Sequence, residues 1–279
     1  MSRRKLLRKI RYYAHSLCDL RMPAPMPGAT VDVVIPFTLK DMAVFPVALE
    51  GIRRCVNHPI AQIYVVAQPH PQIIEFCRQH ELQFVDETSV LGFGPAQLNV
   101  QAGTPPRDRS GWIFQQLLKL SGAIGTSPYI LTVDSDHVLL RPHTFIASDG
   151  RLCLYRSKEL HQPYYDNLWR LMSMHPSSKL SYVAHKMTFD RSILMQLHSD
   201  IERLHPGRKW YEAIIDSLDL TQASCFSEFE LYGNYVPVGR KRLLSFKNHH
   251  LKCSRIESYD ALVARYGRRL RAVTFPDYL

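Results

Sequence analysis

The sequence predicts an α/β protein with a Rossmann-type, mostly parallel sheet flanked by helices, in a single domain whose C-terminal half is irregular. Short β-branched and apolar runs alternate with segments of helical periodicity, which is typical of repeating β-α units. The chain has 279 residues, of which 46% are hydrophobic and 22% charged, enough for a large core and typical of globular proteins. No apolar run approaches the roughly 20 residues that cross a bilayer.

The elements follow one another from residue 31. The first predicted strand is β-branched and stopped by Pro36, and the helix after it is capped by Asp41 and broken before Pro59. A second helix opens at Pro71, and Gly122 ends a third. The predicted strands span residues 31–37, 63–67, 83–86 and 129–133, and the predicted helices span residues 41–56, 71–76 and 111–120.

Two carboxylates, Asp134 and Asp136, directly follow the fourth predicted strand. Ligands of open parallel sheets bind at the carboxyl ends of the strands. Two carboxylates one residue apart can hold a hard divalent cation, which would neutralise a diphosphate leaving group. A solvated turn is the alternative, but the position after an apolar strand favours metal binding.

The positive charge is concentrated at the start of the chain. Lys and Arg number 35 against 25 Asp and Glu, a net charge of +10. Residues 1–11 carry six cations, and the first acid is Asp19. Leucine and isoleucine recur there at helical spacing, so residues 1–20 form a basic amphipathic segment suited to an anionic membrane surface. A helix docked on its own domain is the alternative.

The remaining boundaries follow from composition. Three prolines and Gly28 make residues 21–30 a predicted linker. The domain spans residues 31–250, and residues 251–279 form a C-terminal helix and tail packed on it. Six scattered cysteines without close spacing indicate reduced, structural thiols. No nucleic-acid-binding signature is present, and no secretory signal opens the sequence, so we expect a cytoplasmic protein.

Four segments together resemble the GT-A superfamily of glycosyltransferases. They are residues 31–37, the Gln-Gln-Leu-Leu-Lys-Leu helix at 115–120, residues 130–136 with the two aspartates, and residues 226–235. The resemblance covers roughly residues 31–250 and is nearest to a mostly uncharacterised bacterial branch linked to surface-polysaccharide synthesis. It implies transfer of a sugar from a nucleotide-sugar donor to a glycan or lipid-linked acceptor. Through the basic segment at residues 1–20, we expect the protein to lie at the inner face of the cytoplasmic membrane.

The resemblance also implies site residues. Asp134 and Asp136 would hold Mn²⁺ or Mg²⁺, with the late histidine His250 as a third ligand. The donor would contact residues after the first strand, residues in and before the helix at 111–120, and the first aspartate. These donor-binding residues are Pro36, Phe37, Lys40, Arg109, Gln115, Gln116, Lys119 and Asp134.

Two glutamates are candidates for the catalytic carboxylate. Glu228 and Glu230 share one face if their segment is extended and diverge if it is helical. Glu228 is the first choice as general base for the acceptor hydroxyl and Glu230 the second, and a pair of exposed glutamates is the alternative. His185 and Tyr232 are expected on the acceptor side.

Two other functions compete with glycosyl transfer. Asp134 and Asp136 also fit the nucleophile motif of haloacid-dehalogenase-like phosphohydrolases, in which the first aspartate attacks phosphorus. That motif usually lies on the first strand and needs a later Asp-Asp pair, which this sequence does not contain. The other competitor is a non-catalytic, membrane-associated adaptor.

Overall fold

A computed structural model describes residues 3–18 and 21–276. The predicted N-terminal segment at residues 1–20 and the tail to residue 279 therefore lie partly outside the described residues. Within the described part of the chain, no helix is both long enough and apolar enough to cross a bilayer.

The described chain forms α-helices and β-strands that alternate through the first half. The strands are β1 (Val31–Pro36), β2 (Ile60–Ala67), β3 (Gln83–Asp86), β4 (Gln101–Ala102), β5 (Arg107–Asp108), β6 (Tyr129–Val133), β7 (His137–Leu139), β8 (Leu152–Tyr155), β9 (Lys186–Asp190), β10 (Lys241–Leu244), β11 (Asn248–His250) and β12 (Ala272–Thr274). The helices are α1 (Arg3–Cys18), α2 (Phe45–Cys55), α3 (Pro71–Gln79), α4 (Glu87–Leu91), α5 (Ser110–Leu120), α6 (Gln162–Met172), α7 (Arg191–Leu204), α8 (Trp210–Asp216), α9 (Glu228–Tyr235) and α10 (Tyr259–Tyr266).

The central sheet has five strands in the order β3-β2-β1-β6-β9. The first four are parallel and β9 is antiparallel to β6. Every residue of β1 is buried, as its apolar composition predicts for a strand covered on both faces. The predicted fold class, a mostly parallel sheet flanked by helices, is confirmed. Because β1, β2 and β6 run the same way, the loops that follow them lie at one edge of the sheet.

Two smaller sheets are formed by strands that follow the central sheet in the chain together with β7 and β8. Strand β7 begins directly after Asp136 and pairs antiparallel with β12, which pairs parallel with β11. Strand β8 pairs with β10. Strand β12 therefore fixes the last described part of the chain beside the two aspartates, where the sequence indicated only a packed tail.

The predicted linker is bonded to the domain. The backbone N–H of Met26 donates to the Ile146 carbonyl at 2.9 Å, and that of Ser148 donates to the Ala24 carbonyl at 2.9 Å. Pro25 forms an isolated β-bridge with Ala147. Residues 21–30 thus run along the domain surface through these contacts.

Several element boundaries differ from the prediction. Residues 39–41 form a 3-10 turn, and α2 begins only at Phe45. Residues 228–235 are helical: the side chain of Ser227 accepts a hydrogen bond from the Glu230 N–H and so caps α9.

The cysteine prediction is confirmed as far as the described residues go. Of their cysteines, Cys55, Cys77, Cys153 and Cys225 are buried, Cys253 is exposed, and all five are free thiols. The buried thiols act as small apolar side chains in the core.

Helix α2 approaches β7 so closely that only glycine fits at residue 51. A Cβ atom there would lie 2.7 Å from the Leu139 carbonyl oxygen and 2.9 Å from its backbone nitrogen. Strand backbone cannot rotate away as a side chain can. The close approach places α2 against β7, the strand that begins directly after Asp136.

We expect Gly51→Ala to destabilise the protein by about 1–3 kcal/mol because the added methyl group overpacks this contact. Gly111→Ala in α5 is the matched control, since a Cβ atom there meets nothing within 4 Å. Alanine normally stabilises a helix by up to about 1 kcal/mol relative to glycine. Urea unfolding should therefore shift the two midpoints in opposite directions, and a stabilised Gly51→Ala variant would contradict the packing.

Candidate active site

The two aspartates after β6 lie in a tight turn that also involves the residue before β9. The Asp134 N–H donates to the His185 carbonyl at 2.9 Å, and the His137 N–H donates to the Asp134 carbonyl at 3.0 Å. Residue His185 has a φ of 60°, a left-handed conformation that is uncommon for a non-glycine residue. The geometry turns its imidazole toward the aspartates.

Asp134, Asp136 and His185 form a cluster whose ligand atoms lie within 4.8 Å of one another. Two carboxylates and an imidazole are donors that suit Mn²⁺, and the carboxylates suit Mg²⁺ as well. Burial, reinforced by the neighbouring Asp134, raises the pKa of Asp136 to about 6. A divalent cation would offset the repulsion between the carboxylates, so the residues present fit such an ion.

Lys119, at the end of α5, joins Asp134 to Glu228. Its Nζ donates to Asp134 Oδ1 at 2.7 Å and to Glu228 Oε1 at 2.9 Å. Burial disfavours the ammonium form, but the two carboxylates more than compensate and raise the Lys119 pKa. Burial likewise disfavours ionised Asp134, yet Lys119 and His185 lower its pKa. Asp134 and Lys119 therefore remain an ion pair at neutral pH.

His250 lies behind His185. The Nδ1 atom of His185 is 3.1 Å from Asp134 Oδ2, and its Nε2 is 3.1 Å from the Nε2 of His250. Burial and the adjacent His185 lower the pKa of His250 to about 4. The sequence assigned the third ligand to His250 and the acceptor side to His185. The structure instead brings His185 to the carboxylates, and His250 supports it.

A cavity of about 260 Å³ lies at the same edge of the sheet. Its walls come from the loops after β1 and β2, from the start of α5 and from the segment 87–95. The lining residues are Phe37, Thr38, Leu39, Gln68, Pro69, His70, Ile73, Glu87, Pro95, Gly111, Phe114 and Gln115. Two residues predicted to contact the donor, Phe37 and Gln115, line this cavity.

The other predicted donor residues lie around the cavity or away from it. Pro36 ends β1 and is buried, and Lys40 is exposed in the 3-10 turn. The guanidinium of Arg109 stacks 4.2 Å above the Trp112 ring. Gln116 is buried, and its Oε1 accepts a hydrogen bond from the Glu228 N–H at 3.1 Å. Gln116 therefore fixes the start of α9 and has no surface for a donor.

Asp41, which the sequence predicts as a helix cap, instead contacts the residue between the two aspartates. The Ser135 hydroxyl, between the two aspartates, donates to Asp41 Oδ2 at 2.7 Å. Leu39, two residues earlier in the same turn, lines the cavity. The turn Leu39–Asp41 thus joins the cavity to the carboxylate cluster. The sequence signal for a functional role of Asp41 was the position of this turn shortly after the carboxyl end of β1.

Glu228 and Glu230 point in different directions because α9 is helical. Glu228 faces Lys119, whereas Glu230 faces α6 and the loop before β9. Glu230 accepts hydrogen bonds from the Tyr165 hydroxyl at 2.8 Å, the Ser181 hydroxyl at 2.6 Å, the Tyr182 N–H at 3.1 Å and the Asn234 amide at 3.1 Å. Glu230 is 1% exposed and serves to join these elements, which corrects its prediction as a second catalytic carboxylate.

Tyr232 is also displaced from its predicted role. It is fully buried and its ring centroid lies 4.6 Å from that of Phe189. Its hydroxyl oxygen accepts a hydrogen bond from the Asp190 N–H at 2.7 Å. Tyr232 therefore belongs to the core between α9 and β9 and presents no surface to an acceptor.

We expect Glu230→Ala to destabilise the protein by at least about 3 kcal/mol, because it leaves several buried donors without an acceptor. Glu159→Ala, at an exposed position, is the control and should stay within about 0.5 kcal/mol of the wild type. Urea unfolding monitored by circular dichroism measures both. A small effect of Glu230→Ala would contradict its role in joining α6, α9 and the loop.

Three solved structures of glycosyltransferases are distantly similar to this chain. Mouse xyloside xylosyltransferase 1, in its apo form, has 13% sequence identity over 89% of this chain and 98% of that chain, with a TM-score of 0.45. The galactosyltransferase LgtC, in complex with donor and acceptor sugar analogs, has 11% identity over 88% of this chain and 86% of that chain, with a TM-score of 0.43. The bifunctional glycosyltransferase WbbM has 10% identity over 91% of this chain and 47% of that chain, with a TM-score of 0.46.

Sequence comparison defines the family. None of the curated proteins matches the sequence. Residues 28–266, which include the central sheet, the cavity and the carboxylate cluster, match a family of unknown function, DUF6492. The chain therefore belongs to the DUF6492 family.

Proposed function

We propose that this protein is a glycosyltransferase that moves a sugar from a nucleotide-sugar donor to an acceptor hydroxyl with the help of Mn²⁺ or Mg²⁺. The observation that supports it best is the turn Leu39–Asp41. One end of this turn lines the cavity, and the other accepts a hydrogen bond from the residue between Asp134 and Asp136. A cavity suited to a nucleoside and a cluster suited to a metal-bound diphosphate are therefore adjacent.

The cavity is the proposed site for the nucleoside of the donor. Phe37 and Phe114 supply apolar and aromatic surface, while Gln68, His70 and Gln115 supply hydrogen-bonding groups. A mostly apolar pocket with a few polar groups is the usual form of a small-molecule site. Lys40, exposed beside Leu39, is placed to meet a phosphate in this proposal.

Asp134, Asp136 and His185 are the proposed metal ligands. A divalent cation held there would supply charge neutralisation to the diphosphate leaving group. Lys119 orients Asp134 through a hydrogen bond of 2.7 Å. His250 orients His185 through the 3.1 Å contact between their Nε2 atoms. Such outer contacts fix the orientation of metal ligands.

Glu228 is the proposed general base for the acceptor hydroxyl. It shares the ammonium of Lys119 with Asp134, so a single side chain separates it from a proposed metal ligand. A general base for this step must be a carboxylate that can accept the proton of the acceptor hydroxyl. Lys119 contacts Oε1 of Glu228, so Oε2 is the proposed proton acceptor.

We further propose that the acceptor is a glycan or a lipid-linked saccharide in bacterial surface-polysaccharide synthesis, at the inner face of the cytoplasmic membrane. The motif resemblance and the basic N-terminal helix support this proposal.

A panel of UDP- and GDP-sugars tests the activity. Incubation with Mn²⁺ should release a nucleoside diphosphate from one of them in the presence of an acceptor. Phosphate release from p-nitrophenyl phosphate, without turnover of any donor, would support a phosphohydrolase instead. No turnover and no thermal stabilisation by any nucleotide would support the adaptor.

We expect Asp136→Asn to remove the Mn²⁺-dependent part of nucleotide binding while leaving the fold intact. A ligand at 100 times its Kd stabilises a protein by about 2.7 kcal/mol, so a shift in Tm with UDP or GDP plus Mn²⁺ should vanish in the variant. Asp149→Asn is the control, because Asp149 pairs with Arg151 on the surface. An undiminished shift in Asp136→Asn would reject Asp136 as a ligand.

We expect Glu228→Gln to lower kcat by roughly 100-fold or more, the size associated with losing a general base. Donor binding, measured by the same thermal shift, should change little. Glutamine keeps the size of the side chain and an oxygen that can accept from Lys119. If kcat is unchanged, the base is another group or the reaction needs none.

A further inference from the structure

Helix α1 is docked on the domain through Tyr12 and Ser16. Both side chains are buried, at 4% and 5% exposed. The Tyr12 hydroxyl donates to the Phe246 carbonyl. A guanidinium nitrogen of Arg8 also donates to the Lys158 carbonyl at 3.4 Å. The helix is therefore part of the folded unit.

The opposite face of α1 is apolar and exposed. Leu6, Leu7, Ile10, Tyr13 and Leu17 are 45%, 54%, 55%, 42% and 62% exposed. At 100° per residue these side chains cover one continuous arc, opposite the arc that holds Tyr12 and Ser16. A helix on a globular domain normally buries its apolar face. In the rest of the described chain, large exposed apolar side chains do not gather on one helix in this way.

The positive charge of α1 indicates what binds to its exposed apolar face. Arg11 lies on one flank of the apolar arc and Lys9 on the other, Arg8 lies on the docked side, and α1 contains no acidic residue. Two copies of the face, placed together, would bring these cations against one another. An anionic lipid surface would instead complement the cations and accept shallow insertion of the apolar side chains.

A cavity of about 190 Å³ lies beneath α1 and leads from this face to the carboxylate cluster. Tyr13 lies on both, since it is exposed beside the apolar arc and lines the cavity. His185, a member of the cluster, lines the inner wall. The other lining residues are Tyr12, Ser157, Lys158, Glu159, Val183, Lys247, Asn248, His249, His250 and Leu270.

We propose that α1 lies flat on an anionic bilayer and holds the mouth of this cavity against the lipid surface, so that the acceptor reaches the site from the membrane. The membrane contact stands on the exposed face alone, whereas the acceptor path rests on the proposed glycosyltransferase function. Lys158 and Lys247 at the mouth favour an acceptor with an anionic head group, and Glu159 is the one acid there. A lipid-linked saccharide has this chemistry.

Vesicle flotation tests the membrane contact. Wild-type protein should float with phosphatidylcholine vesicles that contain phosphatidylglycerol and much less with phosphatidylcholine alone. The triple variant Leu6→Gln, Ile10→Gln, Leu17→Gln should bind the anionic vesicles at least tenfold more weakly. Glutamine preserves both the charge and the helix propensity.

The matched control moves the same substitutions to other helices. Ile74, Met195 and Leu204 are exposed apolar residues of α3 and α7, so Ile74→Gln, Met195→Gln, Leu204→Gln removes comparable apolar surface. It should float like the wild type. Equal flotation of the two triple variants would overturn the proposal. So would a wild-type dimer that the α1 variant converts to a monomer without any vesicle binding, since the face would then be an interface between copies.

Fluorescence quenching by spin-labelled lipid tests the orientation. A bimane label would be placed at Lys158→Cys, at the cavity mouth, or at Gln83→Cys, on exposed β3 at the far edge of the sheet. Both would be made in a Cys18→Ser, Cys253→Ser background. Quenching at residue 158 but not at residue 83 is expected, and equal quenching or the reverse order would overturn the orientation. Neither the flotation assay nor the quenching assay uses a nucleotide-sugar. Their results therefore do not depend on whether the activity screen succeeds.

Discussion

The ammonium group of Lys119 is the contact on which the candidate site depends. It joins the end of α5, the turn after β6 and the start of α9 through its hydrogen bonds to Asp134 and Glu228. A buried cation is costly unless it is paired and hydrogen-bonded. Here the cost is offset by two carboxylates that would otherwise lie close together without a counterion. The ion pairs therefore fix both the geometry and the charge of the site.

Lys186 shows what happens to a buried lysine without such partners. It follows His185 in the chain, and its Nζ lies 3.0 Å from His137 Nε2 and 3.4 Å from the Ala184 carbonyl oxygen. Burial lowers its pKa to about 7, whereas the two carboxylates raise that of Lys119. The two lysines therefore differ in how firmly they hold a proton: Lys119, beside Asp134 and Glu228, stays an ammonium at neutral pH, whereas the pKa of Lys186 lies near neutral pH.

The sequence predicted those parts of the site that follow directly from strand ends. Asp134, Asp136 and Phe37 lie where parallel strands stop, and their neighbourhood needs no long-range information. His185 could not be assigned in this way. It lies 3.1 Å from Asp134 because β9 pairs antiparallel with β6, and the sequence did not indicate β9. Local sequence patterns cannot identify a ligand whose position depends on the pairing of a strand that they do not predict.

The helical conformation of residues 228–235 had a local signal that was missed. Ser227 and Glu230 have the Ser-x-x-Glu spacing that marks a helix start. The Ser227 side chain does cap the helix. The Glu230 carboxylate, however, accepts hydrogen bonds from Tyr165 and Ser181. Of the two hydrogen bonds in a capping box, the one from the Glu230 N–H to the Ser227 side chain is formed. Tertiary hydrogen bonds thus decided the role of Glu230, and the helix period separated it from Glu228.

The amphipathic pattern of α1 predicted an apolar arc but not the direction in which it points. Leucine and isoleucine at helical spacing fit a docked helix and an interfacial helix equally well. In the structure, Tyr12 and Ser16 form the face that docks on the domain, and the arc of leucines remains exposed. Since Tyr12 and Tyr13 also line the cavity that reaches His185, the helix is both a wall of that cavity and the carrier of the exposed face. One helix thus carries the exposed apolar face and a wall of the cavity, so substitutions along α1 can be chosen to change either feature.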